Sequence, residues 1–148
     1  MIYLRPASDN DIKTYFDLRN IPEVYKGFYT QTRPLEWEEH CKWWYSRNTG
    51  WRKFIISFGS TPIGILNIGQ MDHWSPEIGY ALYPGDWGKG YGKEAVKQAL
   101  DYLKCQGKDY CHTTVLETNE RSLRLLKSLG FEITDKAREG EVWLTKRI

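Results

Sequence analysis

Residues 82–95 read Leu82-Tyr83-Pro84-Gly85-Asp86-Trp87-Gly88-Lys89-Gly90-Tyr91-Gly92-Lys93-Glu94-Ala95, a segment that joins a strand to a helix. Glycines at 88, 90 and 92 leave no side chains between backbone N–H groups and an approaching ligand. The first N–H groups of the following helix have no internal acceptor and lie at the positive end of its dipole. Together these features make an anion site suited to a pyrophosphate. Lys89 and Lys93 add charge beside it. The spacing is GxGxG, neither the GxxxxGK[ST] of a P-loop nor the GxGxxG of a dinucleotide fold.

Upstream, Glu77-Ile78-Gly79-Tyr80-Ala81-Leu82-Tyr83 predicts a strand closed by Pro84-Gly85. Downstream, Ala95, Val96, Ala99, Leu100 and Leu103 recur at helical spacing, which predicts an amphipathic helix over 91–105. His112–Leu116 reads as a strand; Asn119 then caps a helix carrying Leu123, Leu126 and Leu129, which Gly130 ends. Short strands around 131–134 and 141–145 follow. In the other direction, Lys53–Phe58 and Ile63–Ile68 flank a turn at Gly59–Pro62 as an antiparallel hairpin. Pro34–Arg47 reads as a helix stopped by Asn48-Thr49-Gly50, and residues 23–33 as a loop or a short irregular helix. Ile2–Arg5 alternates as a strand, and Ser8 or Asp9 caps a helix to about Leu18 whose face carries Ile12, Phe16 and Arg19. Strands separated by helices, with one hairpin, indicate an α/β or α+β sheet in a single domain over 1–148.

The 148 residues are 41% hydrophobic and 27% charged with net charge +2, a globular composition without the basic face that nucleic-acid binding requires. Cys41, Cys105 and Cys111 have no CxxC spacing, so neither a disulfide framework nor a zinc site is expected. His40, His73 and His112 are dispersed, and no metal is expected. No apolar run reaches transmembrane length and MIYLRPAS carries no signal pattern, so a cytoplasmic protein without membrane contact is expected. Seven Trp and ten Tyr are more rings than a core of this size needs, which points to an aromatic binding groove.

Taken together, these motifs resemble the GNAT N-acetyltransferase superfamily. The turn at Trp87–Gly92 is similar to that family's [RQ]xxGxG/A coenzyme A loop, and Glu77–Pro84 to its fourth strand. Asn119-Glu120-Arg121-Ser122 followed by Leu129-Gly130-Phe131 resembles its Asn-x-x-Ser/Ala motif leading to GF, and Ile63-Gly64 its third strand. The likeness covers nearly the whole domain and is strongest over 77–131. It implies a central mixed, mostly antiparallel sheet of six to seven strands flanked by about four helices. The acceptor would be handled by residues 1–75 and acetyl-CoA by residues 76–148.

The resemblance also assigns roles. Acetyl-CoA would be the donor, with Trp87, Gly88, Lys89, Gly90, Tyr91, Gly92 and Lys93 at its pyrophosphate. Asn119 and Ser122 would contact the pantetheine arm. The fourth and fifth strands would splay, freeing backbone groups of Leu82 and Tyr83 to pair with the pantetheine amides, and the Leu82 N–H to polarise the thioester carbonyl. An alkyl amine of pKa about 10 needs a base, for which Glu77 is the first candidate and Glu117 the second. With no cysteine motif for an acyl-enzyme, direct attack on the thioester is expected. Trp87 stands where the family has Arg or Gln, and Leu126 where many members carry a Tyr that protonates the thiolate; leucine cannot do that.

On the acceptor side, Trp37, Trp43, Trp44 and Trp51 cluster, with Trp74 before the fourth strand. Trp43 and Trp44 point in different directions, so at least one can line a groove. Glu38-Glu39-His40-Cys41-Lys42-Trp43-Trp44 resembles the corresponding helix of two branches. One acetylates amino sugars carried on nucleotides, as in pseudaminic acid synthesis; the other acetylates ribosomal-protein N-termini. A nucleotide-linked amino sugar is the preferred acceptor, with His40, Trp44 and Trp74 as candidate contacts, His40 being alternatively a packed helix histidine. A coenzyme-A-binding module without activity is the alternative of another class, and a homodimer is compatible with the sequence.

Overall fold

The computed structural model describes residues 1–28, 31–46 and 50–148. Seven strands, β1 (Ile2–Pro6), β2 (Arg52–Phe58), β3 (Thr61–Gly69), β4 (Glu77–Leu82), β5 (Tyr110–Leu116), β6 (Glu132–Lys136) and β7 (Glu141–Arg147), form one sheet. Their order is β1-β2-β3-β4-β5-β7-β6, and neighbouring strands are antiparallel except β4 and β5. The helices are α1 (Ile12–Arg19), the single turn α2 (Pro22–Tyr25), α3 (Trp37–Tyr45), α4 (Tyr91–Cys105) and α5 (Glu120–Ser128). This is the mixed, mostly antiparallel sheet with flanking helices that the sequence implies.

Strand alternation builds the layers. Ile55, Ile65 and Ala81 face one side and meet Tyr15, Leu18, Val24 and Trp44 from α1–α3. Their neighbours Phe54, Ile56, Leu66, Ile78 and Leu82 face the other side and meet Ala95, Val96, Ala99 and Leu103 of α4 and Leu126 of α5. Burying each such aliphatic side chain contributes about 1.5–3 kcal/mol. The α4 side chain of Gln98 binds the β1 backbone, donating to Ile2 O at 2.7 Å and accepting from Leu4 N–H at 3.0 Å. These bonds cover an otherwise open sheet edge. Gly64 lets β3 lie against β4, because a Cβ there would run into the Ala81 carbonyl oxygen.

Three local expectations change. The fully buried residues of α1 are Tyr15 and Leu18, with Ile12, Phe16 and Arg19 only partly buried. A 3-10 turn at Asp9–Asp11 precedes the helix. Arg5 anchors that turn through two bonds to the Asp11 carboxylate, 2.8 and 2.9 Å, and holds its pKa below the usual range. Secondly, α3 begins at Trp37 rather than Pro34. The Asn20 amide binds both Leu35 N–H (2.6 Å) and Leu35 O (3.2 Å), diverting this backbone from helical pairing. The Glu36 N–H then donates to the Glu39 carboxylate at 2.7 Å as the cap. Finally, α3 ends at Tyr45; of the expected ending, Arg47, Asn48 and Thr49 lie outside the described residues.

Candidate active site

The parallel register of β4 and β5 is a single pair, Glu77 with His112, closed by the His112 N–H donating to Pro76 O at 2.9 Å. Beyond it the two strands part. On the β3 side, the Tyr83 N–H donates to Ile63 O at 3.0 Å, which makes Gly64 and Leu82 a non-hydrogen-bonded pair. By that alternation Tyr80 and Leu82 turn their own backbone groups away from β3 and into the split. A buried backbone group without a partner costs about 1–3 kcal/mol, so an extended ligand with amides is suited to this edge. The split opens into a cavity of about 610 Å³.

The same register corrects the expectation for Tyr83. Its N–H is taken by Ile63, and its carbonyl accepts the Asp86 N–H at 2.9 Å. Tyr83 is one residue out of phase and has no backbone group for a ligand. The Leu82 carbonyl is occupied too, accepting from Trp87 Nε1–H at 3.0 Å, which leaves the Leu82 N–H for the split.

At the far end of β4, Gly88 (φ +77°) and Gly90 (φ +82°) adopt left-handed backbone, and no atom lies within 4 Å of a Cβ placed on either. Gly90 is the N-cap of α4 without any side-chain cap bond, and the Glu94 N–H donates to Gly90 O at 3.2 Å. The N–H groups of Tyr91, Gly92 and Lys93 precede that bond and have no acceptor within the helix. Trp87, Gly88, Gly90, Tyr91, Gly92 and Lys93 line the cavity, whereas Lys89 turns to Asp86 at 3.7 Å. Arg121 also lines it, with its guanidinium 3.5 Å from the Trp87 ring centre and its pKa lowered by burial. Trp87 therefore clamps the turn to β4 through its N–H and to α5 through its ring face.

Asn119 and Ser122 reach the cavity from α5, Asn119 accepting the Ser122 N–H at 3.3 Å as a cap. The Ser122 hydroxyl shares a 2.7 Å hydrogen bond with Tyr80, whose phenol burial pushes up to about 12. Sequence reasoning missed Tyr80, although its two-residue spacing from Ile78 and Leu82 places it on the same side of β4. Leu126 is fully buried in the core, and Leu125 lines the cavity in its place.

The two carboxylate candidates part company. Glu77 lines the cavity at the closed end of the split. Beside it, His112 is buried with Nδ1 3.1 Å from Ser75 Oγ and its ring 5.2 Å from that of Trp143. Glu117 follows β5, pairs with Lys136 at 3.7 Å, and does not line the cavity.

None of the three expected acceptor contacts lines it either. His40 is 1% exposed, donates from Nε2 to Ile12 O at 2.8 Å, and packs among Phe16, Trp37, Trp43 and Trp44. Trp44 is buried with Nε1–H donating to Asp9 at 3.0 Å, and Trp74 is 66% exposed against His73 and Tyr110. Phe28, Trp43, Trp51, Asn67 and Arg19 line the cavity instead. The adjacency of Trp43 and Trp44 signalled that one would face a groove; only packing decides which.

Burial lowers the pKa of His40 and of His112, so the unfolded chain binds protons that the folded one refuses. Stability contributed by these rings is present above about pH 6.5, the unfolded value, and is lost as pH falls toward the depressed folded values. The melting temperature of the wild type should therefore drop between pH 7.5 and 5.5 by more than that of His40→Gln, which keeps a donor for Ile12 O. Equal drops would remove His40 as a source.

Among the described residues, no group of three or more His, Cys, Asp or Glu is placed to hold a metal, and no helix is long and apolar enough to cross a membrane. A family model described as Acetyltransferase (GNAT) domain matches residues 2–132. An uncharacterized protein of Methanocaldococcus jannaschii is 39% identical over 97% of this chain, and the chain spans 30% of that relative's length. A solved domain from the same organism is 37% identical with a TM-score of 0.94, covering 100% of this chain and 99% of the domain. A spermidine N-acetyltransferase from Vibrio cholerae, solved with CoA and spermine, shares the fold at TM-score 0.87 and 18% identity, covering 99% of this chain and 95% of that one.

Proposed function

The chain belongs to the acetyltransferase (GNAT) domain family, and from that premise we propose that it moves the acetyl group of acetyl-CoA directly onto a primary amine, preferably that of a nucleotide-linked amino sugar. One observation carries the proposal: the open α4 N-terminus, the inward-facing N–H groups of β4 and Glu77 share one cavity. The N–H groups of Tyr91, Gly92 and Lys93, with the Lys93 and Arg121 side chains, hold a pyrophosphate. The Leu82 N–H and the Tyr80 carbonyl pair with the amides of the pantetheine arm, near Asn119 and Ser122. Acetyl-CoA supplies the activated carbonyl. The Tyr80 N–H lies two residues nearer Glu77 than that of Leu82, roughly 7 Å along the strand, and suits the developing oxyanion better.

Glu77 removes the proton from the ammonium, directly or through water, before the amine attacks. A phenol held near 12 does not surrender its proton to a thiolate whose own pKa is about 8.5, so Tyr80 donates a hydrogen bond rather than acting as an acid. Collapse of the tetrahedral intermediate breaks the C–S bond, and the remaining extra proton on the attacking nitrogen passes through water to the departing thiolate or to solvent. Trp43, Trp51 and Phe28 offer flat faces for a base or a sugar ring. In this reading one domain divides into an acceptor half, about residues 1–75, and a coenzyme half, 76–148. Three free cysteines suit the reducing cytoplasm in which it would work.

Thiol release from acetyl-CoA across a panel of amines tests the proposal. Turnover is expected with a UDP-linked amino sugar and not with N-terminal peptides. The reverse result sinks the acceptor, and no release with any amine while CoA still binds would indicate a non-catalytic module.

A further inference from the structure

Arg19 closes α1 and lines the cavity at its acceptor end, largely buried, with its guanidinium 5.0 Å from the Trp43 ring centre. Among the described residues no carboxylate forms an ion pair with it. The acids nearby are engaged elsewhere: Asp11 with Arg5, Asp17 with Lys13, and Asp9 with the Trp44 indole. A second cation, Lys53, lies 4.9 Å from the same Trp43 ring and donates to Trp44 O at 3.2 Å. His40, between these cations, is kept from becoming a third by its burial and their charge. The acceptor wall is thus an aromatic surface bearing the charge of Arg19, in a cavity that Glu77 also lines, while Lys53 lines a second cavity.

We infer that the acceptor carries an anionic group, a phosphate or a carboxylate, and that Arg19 receives it while the amine lies at Glu77. This rests on the proposal that the cavity acetylates an amine, and it names the chemistry that selects the amine. A guanidinium presents five N–H donors in a planar fork that fits two oxygens of a phosphate or carboxylate. No ion pair joins it to the Glu77 or Asp86 carboxylates that line the same cavity, so its fork can receive the oxygens of a ligand. The Trp43 face alone supplies no hydrogen-bond acceptor to the fork. A polycation would meet Arg19 as a like charge and is disfavoured.

The test compares the wild type, Arg19→Met and Arg19→Lys on one amino sugar in three forms: free, as its 1-phosphate, and linked to UDP. Arg19→Met is expected to raise KM for the two phosphorylated forms by about 30-fold or more. KM for the free sugar and the Kd of acetyl-CoA should stay within about twofold, and Arg19→Lys should recover part of the loss. Calorimetry on the CoA-saturated proteins gives a second readout, with UDP and, separately, glutamate as probes. Tighter binding of either probe to wild type than to Arg19→Met supports the inference and tells a phosphate from a carboxylate. If nucleotide-linked sugars are not acetylated but an amino carboxylate is, with the same dependence on Arg19, the proposed acceptor falls and this inference stands. Equal KM changes for free and phosphorylated sugar, or equal probe binding in both proteins, overturns it. So does spermine as the best acceptor with no loss in Arg19→Met.

Discussion

Glu77→Gln is expected to lower kcat for acetyl transfer by about 100-fold or more at pH 7 while leaving the Kd of acetyl-CoA within about twofold. The amide keeps the size of the side chain at the closed end of the β4–β5 split, and loses the negative charge and the ability to take a proton. An amine of pKa about 10 is then deprotonated by solvent alone, roughly one molecule in a thousand at pH 7. The variant should therefore recover as pH rises, gaining about tenfold per unit until the amine itself titrates. A merely structural role for Glu77 would depress kcat by the same factor at every pH, so a flat ratio of variant to wild type from pH 7 to 9.5 would remove it as the base. Glu117→Gln, at the Lys136 ion pair outside the cavity, should leave kcat nearly unchanged.

Gly90→Glu is expected to raise the Kd of acetyl-CoA by about 100-fold or more, since placing like charges against each other costs several kcal/mol. The cradle is made of backbone N–H groups at the N-cap of α4, and the new carboxylate would stand among them as a competing anion. Space is not the obstacle, because nothing lies within 4 Å of a Cβ at this position. The backbone is: φ of +82° costs an L-residue about 1–2 kcal/mol. Gly90→Ala carries that cost without the charge, so the difference between the two variants isolates the electrostatic part. That difference should shrink in high salt. Binding of acetyl-CoA to folded Gly90→Glu as tight as to the wild type would mean that the pyrophosphate lies elsewhere.

The chain itself determines much of this molecule. The stripe Ala95-Val96-Ala99-Leu100-Leu103 places α4 over the range its period predicts, since a helix of 15 residues is specified by its own spacing. The glycines at 88 and 90 mark a turn open to a ligand, because lacking a Cβ is a local property of one residue. Asn119 caps α5 for the same kind of reason, its side chain bonding a backbone N–H three residues away.

What tertiary structure decided is everything that depends on phase between elements. Whether Tyr80 or Tyr83 turns its amide into the split is set by the register of β4 on β3, and a shift of one residue reverses the answer. Whether Trp43 or Trp44 faces the cavity follows from the rotation of α3 against Tyr15 and Ile55. Arg19 is a cavity residue because of how α1 packs on the sheet, with Tyr15 and Leu18 turned into the core. Glycine placement and helical period are local and can be read along the chain; register and rotation are fixed only when two surfaces meet.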